Sequence, residues 1–339
     1  MKDNHSNIYK YEIQPHTLSF ITTFKCSASC PNCCFQCSPR KEEKLSVNDI
    51  QSIIDQVCNT FPSINICVFS GGECTLLGKE LNQSIKYAHL KKLKIRIVTN
   101  GHWAKDISSA LTYLAELKEI GLQEINLSTG NEHQKWIPYD NIVFACQAAV
   151  KLGLFVAVNI ESAIGHNFTS TIMKQDSRIK KDIALGNIIV QDSLWIEFNK
   201  TYEQINNPNI LNQGPCTNLF KTISIFPNKH AYACCGLTCL KSHILDIGNT
   251  KELPLAHIYK EQFDDLIKLW LYTHGPKSIN SFLCKTKNIQ DDSNKYPHMC
   301  ALCNHILKDK GNMDIIKKNI SNILPTVMLK FQFINQLNS

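Results

Sequence analysis

Between His16 and residue 198 the chain alternates short apolar runs with amphipathic stretches of helical spacing, and this alternation limits the possible folds more than any other feature. The run from His16 to Thr22 reads as a strand. Ser46 and Asp49 then open a helix whose apolar face is Val47, Ile50, Ile53, Ile54 and Val57. A strand over 64–69, a helix near 76–91, a strand over 95–99 and a helix over 106–120 closed by Gly121 follow. Next come a strand from Glu124 to Ser128, a helix near 140–151 stopped by Gly153, and a strand from Phe155 to Asn159. A helix around 168–181 and a strand at either 187–191 or 194–198 complete six βα units. Strands separated by helices pair in parallel through right-handed crossovers, so the expected fold is α/β, an open, partial (β/α)6 TIM-like barrel followed by a smaller cysteine-rich domain.

In parallel α/β folds, ligands collect at the C-terminal ends of the strands, and the chemically informative residues of this chain sit there. After the first strand, Cys26, Cys30 and Cys33 form a C-x3-C-x2-C triad. Three thiolates on one tight loop can hold three irons of a [4Fe-4S] cluster and leave the fourth iron open, where a structural site would be fully ligated. The second strand ends in Ser70-Gly71-Gly72-Glu73, the third in Thr99-Asn100-Gly101, the fourth in Ser128-Thr129-Gly130 and the fifth in Asn159-Ile160-Glu161. A zinc knuckle completed by Cys34, Cys37 or a histidine is an alternative for the triad alone, but zinc does not account for Gly71 to Glu73.

The triad and Gly71-Gly72-Glu73, one βα unit apart, resemble the radical S-adenosylmethionine (SAM) superfamily over roughly the first 200 residues. The resemblance implies the same partial barrel, a SAM-binding [4Fe-4S] cluster on Cys26, Cys30 and Cys33, and contacts from Gly71, Gly72 and Glu73 to the SAM amino group. Ser128 and Asn159 are expected to add cofactor contacts from their strand-end positions. It also implies reductive cleavage of SAM to a 5′-deoxyadenosyl radical that takes a hydrogen atom from an unreactive carbon, while the protein positions the reactants and excludes water. Cys30, Cys34 and Cys37 form a second, overlapping C-x3-C-x2-C. Thr23, three residues before Cys26, matches the commoner family arrangement and selects the first register. Asn32 stands where the family has an aromatic residue, with Phe35 as its expected replacement beside the adenine, and Cys74 stands where proline is common. A buried filler role is expected for Cys74.

From Asn199 the composition turns Asn- and Gln-rich through Asn209, which reads as a linker between a core domain over 1–199 and a C-terminal domain over 200–339. Beyond it, Ile223 to Cys235 reads as a hairpin with a Pro227-Asn228 turn. This segment is similar to the start of the auxiliary-cluster module called SPASM, or its shorter twitch form. Cys216 and Cys234 match the first two ligands of that module, Gly248-Asn249 echoes a Gly-Asn that follows, and Cys300 and Cys303 are expected to complete one auxiliary cluster. Lys229 occupies a turn position where the module usually has glycine. Cys235, Cys239 and Cys284 are left over, while Cys58, Cys67 and Cys146 lie on apolar faces and are expected in the core. His133 reads as a solvent-facing loop histidine, and Ile315, Ile316, Ile320 and Ile323 as the apolar face of a C-terminal helix.

Composition narrows the setting. Sixteen cysteines without an export signal point to thiolate metal sites in a reducing cytoplasm. No run approaches the ~18 apolar residues of a membrane span. The net charge of +7 comes almost wholly from lysine and suits an acidic electron donor or an acidic peptide, but a diffuse solvated surface is the simpler reading. The partners expected are a peptide substrate, with no separate leader-recognition domain obvious at the N-terminus, so that a leader is either bound by the barrel or not needed, and a flavodoxin- or ferredoxin-type electron donor. The expected function is maturation of a ribosomally made peptide by crosslinking or epimerisation. RNA or small-molecule modification, for which no nucleic-acid module is recognisable, and a non-catalytic iron–sulfur protein are the alternatives.

Overall fold

The structure, a computed structural model, describes residues 13–163, 165–194, 214–236 and 239–338. The linker expected at 199–209, with the domain boundary inside it, and residues 195–198 of the second candidate strand lie outside the described residues.

Six strands run in parallel, β1 (Thr17–Ile21), β2 (Ile66–Ser70), β3 (Lys94–Thr99), β4 (Leu122–Gly130), β5 (Phe155–Ser162) and β6 (Ile188–Leu194). Helices α1 (Val47–Thr60), α2 (Lys79–Leu90), α3 (Ile107–Glu119) and α4 (Tyr139–Lys151) make the first crossovers. The last crossover is two short helices, α5 (Ser170–Gln175) and α6 (Lys180–Ala184), instead of the single helix the sequence suggests.

Side chains alternate across each strand, so one face of the sheet meets the helices. Phe20, Cys67, Phe69, Ile97, Leu127 and Val158 share a single core with Ile50, Ile53, Ile54 and Val57 of α1 and with the inner faces of α2 to α4. Phe20 and Phe69, partners in register, stack with centroids 5.7 Å apart. Each such fully buried side chain contributes about 1.5–3 kcal/mol. Ser46 and Asp49 form the capping box read from the sequence, worth about 1 kcal/mol. The helix expected near 76–91 is divided. A 3-10 turn, Cys74–Leu77, is separated from α2 by Gly78, whose φ of 54° is left-handed.

The C-terminal region joins this sheet directly. Strand β7 (Thr222–Ile225) pairs in parallel with β1, and β8 (His230–Tyr232) and β9 (Asp246–Asn249) continue antiparallel, giving the order β6-β5-β4-β3-β2-β1-β7-β8-β9. The sheet is open, with β6 and β9 at its edges. Lys229 takes φ 68° in the β7–β8 turn, the conformation for which glycine is the usual residue, and its ammonium lies 3.3 Å from Asp49 on α1. Helices α7 (Leu255–Glu261), α8 (Leu266–Thr273), α9 (Gly275–Lys287), α10 (Met299–Lys308), α11 (Lys310–Lys318) and α12 (Ile320–Asn338) complete the chain. A second core joins α8 to α12 with Phe226, Tyr232 and Ile21 of β1. Ile316 and Ile323 are buried in it, whereas Ile320 is exposed because the expected C-terminal helix breaks between α11 and α12. No helix among the described residues is long and apolar enough to cross a membrane.

Candidate active site

The loop after β1 is clamped by backbone before any thiol is considered. Thr22 N–H donates to Ser70 O, Phe24 N–H to Glu43 O and Cys26 N–H to Ser38 O, so the segment leaves and returns at one place. Gly72 N–H donates to Thr23 O at 2.7 Å and Glu73 N–H to Lys25 O at 2.8 Å. This explains the two glycines physically. A Cβ on Gly72 would lie 2.3 Å from Lys25 O, and one on Gly71, whose φ is 149°, 2.6 Å from Thr23 O. The close approach they permit is to the cysteine loop itself.

Cys26, Cys30 and Cys33 line a cavity of about 220 Å³ at the C-terminal ends of the strands, together with Ser70, Gly71, Gly72, Asn100, Ser128 and His133. Ala28 N–H and the Asn100 amide donate to the Cys26 sulfur at 3.4 and 3.6 Å, and Cys37 N–H donates to the Cys33 sulfur at 3.4 Å. Burial, with repulsion from the other thiols, pushes Cys26 up to about 11 and Cys30 up to about 12. Cys33 is lowered to about 6, chiefly by a hydrogen bond from the Cys37 thiol, whose own pKa rises strongly in return. Three sulfurs facing one cavity, with N–H groups directed at two of them, are a donor set that fits an iron–sulfur cluster, since cationic iron removes the cost of crowded thiolates.

The other residues expected at the site divide. Ser128 lines the cavity. Asn159 is its neighbour across the β4–β5 pairing, outside the cavity lining, and its side-chain oxygen accepts from the Gln191 amide. Glu73 is not among the residues that line the cavity. Glu73 is fully buried, and its carboxylate accepts from Thr75 N–H, Thr75 Oγ1, Thr99 Oγ1 and Asn100 N–H, between 2.7 and 3.2 Å. Those four donors, three on Oε1 and Asn100 N–H on Oε2, make it the cap of the 3-10 turn and the tie between β2 and β3.

His133 departs from its solvent-facing expectation. Its side chain is 17% exposed, it lines the cavity, and its Nδ1 lies 3.1 Å from the Glu161 carboxylate, itself 4% exposed. Glu132 N–H also donates to that carboxylate. Gly130 makes room for the pair, because a Cβ there would lie 1.6 Å from Glu161 Oε2. The readable signal was the glycine ending Ser128-Thr129-Gly130, which marks a strand end approached by a neighbouring group. Cys74 packs in the core with its thiol on Val98 O, and Cys67 and Cys146 are fully buried.

Cys216, Cys234, Cys300 and Cys303 come together elsewhere, lining a small cavity of about 30 Å³. Backbone N–H groups of Asn218 and Leu219 point to Cys216 and that of Gly236 to Cys234, and burial pushes the thiols of Cys216, Cys234 and Cys303 up. Cys300 sits in the first turn of α10, where the helix dipole favours thiolate, and Cys303 follows one turn on. This donor set also fits an iron–sulfur cluster. Cys239 is buried nearby and Cys235 is exposed. Cys284 lies within metal-binding reach of Asp291 and Asp292, but the Asn280 amide donates to all three and so fills the place a cation would take.

Comparison with known proteins adds three findings. Residues 20–170 match the family model of the radical SAM superfamily. The structure is similar to anSMEcpe with bound AdoMet (TM-score 0.54, 14% identity, 90% of this chain and 99% of that one) and to anSMEcpe with AdoMet and a Cp18Cys peptide (TM-score 0.53, 15% identity, with the same coverage). The sequence is 22% identical over 126 residues to YydG of Bacillus subtilis (strain 168), named "Putative peptide biosynthesis protein YydG"; the match spans 37% of this chain and 39% of that protein.

Proposed function

We propose that this chain, whose residues 20–170 match the radical SAM family model, is an enzyme that uses a [4Fe-4S] cluster and SAM to modify a peptide, by crosslinking or by epimerisation. The observation that carries this reading is the meeting of Cys26, Cys30 and Cys33 with Gly71, Gly72 and Ser128 around one cavity, while a second four-cysteine group lies in the region that resembles the SPASM and twitch modules. The name of YydG and the peptide held by anSMEcpe support the substrate class.

Cys26, Cys30 and Cys33 would hold the SAM-binding cluster, and Cys216, Cys234, Cys300 and Cys303 an auxiliary one. Bound together, cluster and SAM supply the one-electron chemistry that generates a hydrogen-abstracting species. The work of the chain is positional. Gly71 and Gly72 fix the cysteine loop against β2, Asn100 donates to the Cys26 sulfur, and Cys37 does the same for Cys33. Ser128 and the His133–Glu161 pair supply the polar wall facing the triad.

Anaerobic reconstitution followed by reduction in the presence of SAM tests the enzyme: 5′-deoxyadenosine is expected, and its absence from a fully loaded chain overturns the reading. Co-expression with a short peptide encoded beside the gene tests the substrate class. In heavy water an epimerised site gains a deuteron, whereas each crosslink removes a pair of hydrogens. An unmodified peptide beside active SAM cleavage sinks the peptide proposal.

A further inference from the structure

On a chain of net charge +7, one cavity carries the opposite sign. About 420 Å³ in volume, it lies where β9 meets the connection between α7 and α8, and four carboxylates line it, those of Asp246, Glu261, Asp264 and Asp265, against the single ammonium of Lys268. That ammonium is already engaged, since it donates to Asp265 Oδ2 at 2.5 Å. The ring nitrogens beside Asp246 and Glu261 belong to His230, 2.8 Å away, and His257, 3.0 Å away, which carry charge only when protonated. Asp264 has no ion pair among the described residues. A second observation is independent of charge. Gln262, also on the lining, is 2% exposed; its Nε2 donates to Tyr259 O at 3.3 Å, while its Oε1 has no hydrogen-bond partner. With the nitrogen end of the planar amide turned to the helix, the oxygen end is left for the cavity as a buried acceptor without a donor.

We infer that this cavity holds a basic side chain, arginine or lysine, of a bound peptide, with the cationic head among Asp246, Glu261 and Asp264 and donating to Gln262 Oε1. The inference rests on the proposal that the substrate is a peptide, and adds a place where that peptide is gripped away from the cysteine triad. Three features select this occupant. The cavity is far larger than a metal ion, and the one group of three converging metal-ligating side chains among the described residues is Cys284, Asp291 and Asp292, elsewhere in the molecule. Ile247 and Ile258 give the lining an apolar wall, which suits the methylene stem of a long basic side chain whose head stays polar. Strand β9, which contributes Asp246 and Ile247, is an edge of the sheet, so no further strand closes that side and an extended chain can lie across it.

The test uses the full chain, reconstituted with iron and sulfide, and calorimetric titration at low ionic strength with a capped pentapeptide of alanines around a central arginine. Replacing that arginine by citrulline, which keeps the shape and removes the charge, should weaken binding at least about tenfold. The double variant Glu261→Gln, Asp264→Asn changes two exposed side chains and should lose a similar factor for the arginine peptide, with iron content and thermal unfolding unchanged. Gln262→Met, which removes the buried acceptor, should weaken the same peptide by about three- to tenfold. Equal affinity for the arginine and citrulline peptides overturns the proposal, as does a double variant that binds the arginine peptide as the wild type does. Tighter binding of agmatine than of the peptide also overturns it, because the cavity would then take a free amine. Calorimetry needs no turnover, so a chain that holds the arginine peptide here yet modifies no peptide fails the proposed function while this cavity stands.

Discussion

Cys26, Cys30 and Cys33 share one short loop, closed by local backbone bonds and pressed against Gly71 and Gly72, whereas Cys216, Cys234, Cys300 and Cys303 arrive from a loop, a strand end and the N-terminal half of a distant helix. The first group exists once β1 and β2 have paired. The second needs the β7–β8 hairpin, α8, whose Leu271 O accepts from Cys216 N–H, and α10 to be in place together. Proximity in sequence therefore makes the triad robust and readable, and long-range assembly makes the second group dependent on the whole C-terminal core.

The sharpest test of this contrast is at the triad. Cys26→Ala removes one of three proposed iron ligands, and SAM cleavage should fall below detection when 5′-deoxyadenosine is measured. Cys37→Ala removes only a hydrogen bond to the Cys33 sulfur, worth about 1 kcal/mol, so cleavage should drop by no more than about tenfold. If Cys37→Ala is silent to SAM and Cys26→Ala is active, the overlapping register of Cys30, Cys34 and Cys37 holds the cluster instead.

A comparable effect is expected without touching a thiol. Gly72→Ala places a methyl 2.3 Å from the Lys25 carbonyl, a backbone atom that cannot swing aside. The loop must separate from β2, with loss of the Gly72–Thr23 and Glu73–Lys25 hydrogen bonds and about 3 kcal/mol or more of stability. Thermal unfolding should fall, and iron bound at the triad should fall with it, while iron at the four-cysteine group remains.

What could be read from the sequence follows the same division. Five strands, the Ser46–Asp49 capping box and the helix stops at Gly121 and Gly153 depend on residues a few positions apart, and they stand where the pattern puts them. The parallel pairing of β7 with β1 joins segments about 200 residues apart and leaves no local trace. The hydrogen bonding of Glu73 is set at a distance in the same way. Its motif is local, but the direction of its carboxylate is set by Thr99 and Asn100 on the next strand. The same holds for His133, whose place in the cavity depends on Glu161 from β5 and on the room left by Gly130.

At the second group, Cys300→Ser should remove iron from the C-terminal site and leave SAM cleavage measurable, because the triad loop is held by backbone bonds to Ser70, Glu43 and Ser38. Product formation on the peptide should then fall further than 5′-deoxyadenosine formation. Parallel loss of both would mean that the two groups form one cooperative unit, and the comparison would fail.

The smallest effect comes from repeating the glycine substitution in this region. A Cβ on Gly236 would lie 3.5 Å from the Cys234 sulfur and 3.6 Å from the Cys300 sulfur, ordinary contact distances, and Gly236 does not hold a left-handed backbone. Its N–H, which serves the Cys234 sulfur, survives in alanine. Gly236→Ala should therefore change stability by less than about 1 kcal/mol and leave iron content at both groups intact, as thermal unfolding and iron analysis can show. The same chemical change is then disruptive at Gly72, where the backbone itself carries the cysteines, and tolerated at Gly236, where the thiols are brought together by elements packed from a distance. A Gly236→Ala chain that loses its C-terminal iron would show that the four sulfurs close more tightly around their cluster than these contacts indicate, and that the second site is no more forgiving than the first.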